Sequence, residues 1–194
     1  LLRPDPQIVW DNGDLLEKYR SIINAVYYRS NKGGGHWENL KYTPEAWSVD
    51  YNGLTFNIKQ MGFKHTGLFP EQAVNWDFMR GKIKNSGRKI KVLNLFAYTG
   101  GASVACLSEG AAVTHVDASR GMVDWCKENV KSSGYEDAEV RYLVDDVVKF
   151  VQREIRRGNK YDAIIIGSDE LWNLKNVTVV DVFSLQMIMF AITV

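Results

Sequence analysis

The sequence predicts an α/β fold: a doubly wound, mainly parallel sheet with helices on both faces, preceded by a small α+β appendage. Three observations carry this expectation. From residue 91 onward, short apolar runs alternate with helical patterns, the rhythm of right-handed strand–helix–strand crossovers. The first of those runs ends in Ala97-Tyr98-Thr99-Gly100-Gly101, a turn that leads straight into a small-residue helix. Ahead of them, WSVDYNGLTFNI (Trp47 to Ile58) alternates apolar and polar residues around Asn52-Gly53, a strong short-range signal for an antiparallel hairpin.

Taken in order, DLLEKYRSIINAVYY (Asp14 to Tyr28) places Leu15, Leu16, Tyr19, Ile22, Ile23, Val26 and Tyr27 at helical spacing, with Asp14 as N-cap. SNKGGGHWENLK then reads as a glycine-rich loop, and Glu71–Lys84 as a helix. KNSGRK supplies a polar, glycine-containing break near residue 86, which divides the chain into an appendage over 1–86 and a second domain over 87–194. In the second domain strands are expected at Lys91–Ala97, Val113–Asp117, Glu139–Val144 and Asp162–Ile166. Helices are expected at Gly101–Glu109, Ser119–Ser132 and Asp146–Arg157, and the closing MIMFAITV reads as one further strand.

Composition sets the outer bounds. With 194 residues, 45% hydrophobic and a net charge of +1, the chain has room for one well-buried α/β domain and a modest appendage. No run approaches the ~18 apolar residues of a membrane span, and the opening LLRPDPQ lacks the apolar core of a signal peptide, so no membrane partner and a cytoplasmic location are expected. Cys106 and Cys126 fall inside expected helices without Cys-x-x-Cys spacing, which indicates neither a metal site nor a disulfide framework. Lys82, Lys84, Arg88, Lys89 and Lys91 form one basic cluster; Arg153, Arg156, Arg157 and Lys160 form another. Both read first as solvated helix ends and loops, and second as a basic patch within a balanced total.

Ligands of a doubly wound sheet bind beyond the carboxyl ends of its strands, where the strand order reverses. The candidate contacts there are Asn94, Phe96, Ala97, Tyr98, Thr99, Gly100 and Gly101 on the first strand and its turn, and Asp117, Ala118 and Ser119 at the end of the second. Asp145 and Asp146 stand at the end of the third. A carboxylate at Asp117 suits a pair of ribose hydroxyls, and the Asp145-Asp146 pair suits an adenine amino group. The bland alternatives are N-capping roles for Asp117 beside Ser119 and for the Asp145-Asp146 pair at the next helix. A dinucleotide would want G-x-G-x-x-G to seat its pyrophosphate, which Tyr98-Thr99-Gly100-Gly101-Ala102-Ser103 lacks. S-adenosylmethionine has no phosphate, so the turn favours it over a nicotinamide dinucleotide.

These residues also carry a family resemblance. RPDPQ (Arg3 to Gln7), GGGHWE (Gly33 to Glu38), FKHTGLFPEQAVNWDFM (Phe63 to Met79), VLNLFAYTGGAS, VTHVDAS and KFVQREIRRGNKYDAIII together resemble the bacterial class I S-adenosylmethionine-dependent methyltransferases related to the 23S ribosomal RNA large-subunit methyltransferases. The resemblance implies a Rossmann-like methyltransferase domain and ribosomal RNA as substrate and partner, with the oligomeric state left open. It also implies that the HTGLFPEQ segment lies over the cofactor, which adds Lys64, His65, Thr66, Phe69 and Gln72 as candidate contacts. Trp76 and Phe78 are expected in the core of the helix that follows.

The pattern breaks after the fourth strand. The family's Asp-Pro-Pro acceptor loop is missing where YDAIII runs into Gly167-Ser168-Asp169-Glu170, and a complete sheet of this type needs about 80 further residues. The sheet therefore reads as incomplete. The preferred explanation is that stretches of the full molecule are absent here rather than that the protein is truncated, since an acceptor loop is a natural place for disorder. Asp169 and Glu170 are not promoted to catalytic residues, and no catalytic residue is named. Neither cysteine is expected to be a nucleophile, because both sit on helices away from the strand ends. The alternative to an enzyme is a non-catalytic S-adenosylmethionine- or RNA-binding module, with a dehydrogenase a distant third.

Overall fold

A computed structural model describes residues 1–3, 13–30, 34–62 and 64–166, and the backbone of residues 188–191. Its elements are α1 (Leu15–Tyr19), β1 (Ala25–Arg29), β2 (Gly35–Asn39), β3 (Ala46–Tyr51), β4 (Leu54–Lys59), a 3-10 turn at Pro70–Gln72, α2 (Ala73–Lys84) and β5 (Lys91–Leu95). There follow α3 (Gly101–Leu107), β6 (Ala112–Asp117), α4 (Arg120–Ser132), β7 (Val140–Val144), α5 (Val147–Arg157), β8 (Ala163–Ile166) and β9 (Ile188–Ala191). The chain forms two compact units, Leu1–Ser48 with Ile58–Gly67, and Val49–Asn57 with Leu68–Val194.

In the first unit the expected helix over 14–28 is corrected. Asp14 does cap a helix, accepting the Glu17 N–H at 3.0 Å, but α1 ends after five residues. The β-branched and aromatic residues beyond it favour a pleated surface, and Ala25–Arg29 pairs antiparallel with Gly35–Asn39 instead. The glycine-rich loop is corrected with it: residues 31–33 lie outside the described residues, but Gly35 onward is strand. A Cβ on Gly35 would collide with the Tyr28 carbonyl and the Tyr27 ring, so this glycine serves close strand pairing. Tyr27 packs edge-on to Trp37 at 5.4 Å, and the Trp37 indole donates to the Met61 carbonyl at 3.0 Å. Tyr28 and Tyr42, by contrast, are exposed.

The second unit is built on a parallel five-stranded sheet in the order β7-β6-β5-β8-β9. The doubly wound expectation holds. From residue 91 the strands and helices up to Ile166 fall within two residues of their expected ends, and the further strand near the end pairs parallel with β8. Alternation along the strands sends Val92, Val113, Ala163 and Ile165 to one face, against α2, α3 and α4. Leu93, Leu95, Val116, Ile164 and Ile166 go to the other, against Phe150 and Val151 of α5.

The Asn52-Gly53 hairpin forms as expected, with both turn residues at positive φ (47° and 78°). Its second strand is satisfied by side chains of α4 and the residue that caps it. Asn129 Oδ1 accepts the Asn57 N–H at 2.8 Å, Trp125 Nε1 donates to the Asn57 carbonyl at 2.9 Å, and Ser133 Oγ both accepts from and donates to the Thr55 backbone at 2.9 Å. Residues 125, 129 and 133 lie on one stripe of the helix, so one face meets the backbone of an extended strand. Trp76 is buried as expected, but Phe78 is not. Two positions along a helix turn the side chain through about 200°, leaving Phe78 half exposed under the Lys82 ammonium.

Candidate cofactor-binding site

The strand order reverses between β5 and β8, and the turn after β5 lies at that switch point. Its backbone is strained. Phe96 (φ 51°), Tyr98 (φ 52°) and Gly100 (φ 84°) all occupy the left-handed region. For two bulky aromatics this costs of order 1–2 kcal/mol each, and it persists only where the surroundings over-determine it.

Specific neighbours hold it there. Asp117, at the end of β6, accepts the Tyr98 N–H with Oδ2 at 2.9 Å and the Ser119 N–H with Oδ1 at 2.8 Å. Asn129 donates to the Thr99 carbonyl at 2.9 Å from beneath. A Cβ on Gly100 would fall inside Cys126, and one on Gly101 would sit 2.9 Å from the Trp76 ring. The two glycines are thus required for packing under the turn. Phe69 meets Tyr98 with ring centroids 5.4 Å apart, which ties the end of the HTGLFPEQ segment to the turn.

Below the turn lies a buried polar network. Asn94 donates to Ser103 Oγ at 2.9 Å; that oxygen lies 3.0 Å from His115 Nδ1, and Cys126 Sγ lies 3.4 Å from the same nitrogen. Burial lowers the His115 pKa to about 4, against a main-chain hydrogen bond with Tyr98 that works the other way, so the imidazole is neutral at pH 7. Burial also pushes the thiols of Cys106 and Cys126 up to about 12. Cys126 therefore lies closer to the turn than its helical position suggested, but it is protonated and packed.

Most of the expected site residues fall into three groups. Phe96, Tyr98, Asp117, Ala118, Ser119, Asp145 and Asp146 are at least partly exposed around the strand ends. Asn94, Ala97, Thr99 and Gly100 are buried and shape the turn from below. Lys64, His65 and Thr66 belong to the other compact unit, where the Thr66 carbonyl accepts the Lys59 N–H at 3.1 Å. Asp145 forms an ion pair with Arg153, and Asp146 caps α5 by accepting the Lys149 N–H at 2.9 Å. Gln72 accepts from Asn75 at 2.8 Å. Gly167 to Trp172, including Asp169 and Glu170, lies outside the described residues. Sequence reasoning missed Asn129, whose signal was the four-residue spacing of Trp125, Asn129 and Ser133.

Among the described residues no cluster of three or more His, Cys, Asp or Glu is placed to hold a metal, and no helix is long and apolar enough to cross a membrane. Carboxylate, backbone and aromatic groups gathered at the switch point of a parallel sheet define a Rossmann-like nucleoside-binding fold.

Comparison with known proteins supplies the class. The family model of the S-adenosylmethionine-dependent methyltransferases matches residues 20–181, and the chain belongs to that family. It is 32% identical over 145 residues to ribosomal RNA large subunit methyltransferase K/L of Pseudoalteromonas atlantica, a match covering 74% of this chain and 20% of that protein. It is 26% identical over 194 residues to ribosomal RNA large subunit methyltransferase K of Neisseria meningitidis, covering 96% of this chain and 53% of that protein. The crystal structure of an S-adenosylmethionine-dependent methyltransferase from Agrobacterium tumefaciens matches with a TM-score of 0.78 at 38% identity, over 84% of this chain and 52% of that one. The chain thus spans between a fifth and about half of these relatives.

Proposed function

We propose that the protein binds S-adenosylmethionine on the turn after β5 and directs its methyl group to RNA, with ribosomal RNA as the substrate class. One observation carries the cofactor's place: a strained turn at the switch point, fastened to the Asp117 carboxylate at the end of the neighbouring strand. Each Asp117 oxygen accepts one backbone N–H and keeps further lone-pair capacity on a partly exposed side chain, which suits ribose hydroxyls. Phe69 and Tyr98 offer an apolar wall. Asp145 retains acceptor capacity for an exocyclic amine beyond its pairing with Arg153. The family resemblance of the HTGLFPEQ segment adds Lys64, His65, Thr66 and Gln72 to the proposed set.

The bound sulfonium supplies an electrophilic methyl group. The chain's share is to hold that group rigidly, exclude water and present one open side to the acceptor. Both cysteine thiols are protonated and buried, so neither serves as a nucleophile and the reading is direct transfer to an RNA atom. The RNA reading rests on the ribosomal RNA methyltransferases to which the chain is similar, and it supports a cytoplasmic location alongside the substrate.

The test is incubation of the full-length protein with methyl-labelled S-adenosylmethionine and deproteinised 23S ribosomal RNA. Label in the RNA is expected. Micromolar cofactor binding without transfer would replace the enzyme by a non-catalytic binding module, and absence of cofactor binding would overturn the site.

A further inference from the structure

Beneath the turn after β5, one fully buried side chain gathers the elements that carry it. His115 lies on β6, in register with Asn94 of β5, and none of it is exposed. Its Nδ1 lies 3.0 Å from Ser103 Oγ on α3 and 3.4 Å from Cys126 Sγ on α4. Asn94 completes the set by donating to Ser103 Oγ at 2.9 Å. β5, α3, β6 and α4 thus meet in one polar cluster, and the turn runs from the first of them to the second. The other ring nitrogen, Nε2, is buried with no hydrogen-bond partner among the described residues. Tyr142 meets the ring edge-on, with centroids 6.0 Å apart.

Each contact bears on the strained turn. Cys126 is the residue against which Gly100 is seated, and Ser103 belongs to the first turn of the helix that Gly100 caps. The ring also makes a main-chain hydrogen bond with Tyr98, the residue held at φ 52°. Side chains alternate along a strand, so His115 and Asp117 leave β6 on the same side. Asp117 fastens the Tyr98 N–H from the strand end, and His115 supports the same residue from beneath. An apolar floor would cost the fold less. A buried ring nitrogen without a partner is destabilising, and departures of this kind from good packing are expected at functional sites.

We propose that His115 is a positioning residue for the cofactor: through Ser103 and Cys126 it keeps the turn after β5 in its binding-competent form, without touching S-adenosylmethionine itself. The proposal rests on the cofactor reading of that turn and adds the residue that preforms it. A turn left free to relax would bind only from the fraction of molecules in which it is strained, and the apparent dissociation constant rises as that fraction falls. Both side-chain contacts are made through Nδ1. Asparagine carries its amide at the position of Nδ1, glutamine carries it at the position of Nε2, and leucine fills the space with no polar group. The three substitutions therefore separate polar support from packing.

The experiment measures S-adenosylmethionine binding by calorimetry, together with melting temperatures, for the full-length wild type, His115→Leu, His115→Asn and His115→Gln. Val151→Ala, on the opposite face of the sheet, serves as a destabilised control. His115→Leu is expected to raise the dissociation constant about tenfold or more, as a fall of the competent fraction to about a tenth requires. His115→Asn is expected to stay within about threefold of the wild type. Asparagine leaves a cavity that leucine fills, so melting temperatures are expected to run the other way, with His115→Leu the more stable. A merely structural role does not produce that inversion. Val151→Ala is expected to lose stability and bind the cofactor as the wild type does. Wild-type affinity in His115→Leu, or losses in Leu and Asn that follow their melting temperatures, overturns the proposal and leaves the cofactor site standing. Where His115→Leu does not fold, His115→Gln is compared with His115→Asn: binding about tenfold weaker in Gln is expected, and equal affinities overturn the proposal. A wild type that does not bind S-adenosylmethionine overturns both the positioning role and the site.

Discussion

Asn129 and Thr99 stand thirty positions apart in the chain, and the Asn129 side-chain amide donates to the Thr99 carbonyl at 2.9 Å in the fully buried floor of the turn. The same side chain accepts the Asn57 N–H at 2.8 Å. One helix residue thereby fixes both the hairpin and the turn. Asn129→Ala would remove the donor to a buried carbonyl and the acceptor of a partly buried N–H, each loss costing about 1–3 kcal/mol. The expected destabilisation is about 2–5 kcal/mol in urea unfolding, with weaker cofactor binding by calorimetry. A wild-type midpoint would show that neither bond matters.

Gly100 is held at φ 84° against Cys126. Gly100→Ala adds a left-handed penalty of about 1–2 kcal/mol to a collision with the sulfur, for a total of about 3 kcal/mol or more. Combining it with Cys126→Ala removes the collision and leaves the backbone penalty. A double-mutant cycle in urea should therefore show a favourable coupling of more than about 1 kcal/mol. Strict additivity would mean that the packing under the turn is not what requires glycine there.

Asp117→Ala is expected to weaken S-adenosylmethionine binding by about 1.5–3 kcal/mol, the range for hydrogen bonds to a charged group. Asp117→Asn keeps an acceptor for one of the two backbone N–H groups and should lose less. Isothermal calorimetry on the full-length protein separates the two. Equal affinities for Asp117→Ala and the wild type would mean that the cofactor does not touch the end of β6.

His115 gives the fold a defined acid sensitivity. Its folded-state pKa is about 4 against an ordinary 6.5, so the unfolded chain binds the proton more readily. The corresponding stability is complete above about pH 6.5 and is lost as pH falls towards 4. Its full size is about 3 kcal/mol. Urea midpoints at pH 7, 5.5 and 4.5 should fall steeply in the wild type and less steeply in His115→Gln. Carboxylates held below their ordinary range, such as Asp162 and Glu139, begin to lose their contribution at the acid end of this window, so the difference between the wild type and His115→Gln isolates the imidazole.

The sequence by itself determined the parallel sheet, the order of strand and helix from Lys91 to Ile166, the Asn52-Gly53 hairpin and the turn that closes the first strand. These features are local. Periodicity, a glycine pair and a two-residue turn act over a few residues, where propensity and backbone sterics set the outcome. The length of the first helix was decided elsewhere. Asp14 capped it correctly, but the β-branched and aromatic residues of Ala25–Arg29 pair with Gly35–Asn39 on a pleated surface instead of continuing the helix. Phe78 turned outward because neighbouring helix positions face different ways, and a run of apolar residues does not reveal which one meets a sheet.

Only the tertiary structure brought Cys126, Asn129 and Trp76 beneath the turn, and Asn94, Ser103 and His115 into one buried network. Those groupings join residues far apart in the chain through strand register and helix packing. A linear pattern carries the residues that make such contacts, but their meeting depends on how the sheet lines up its ends.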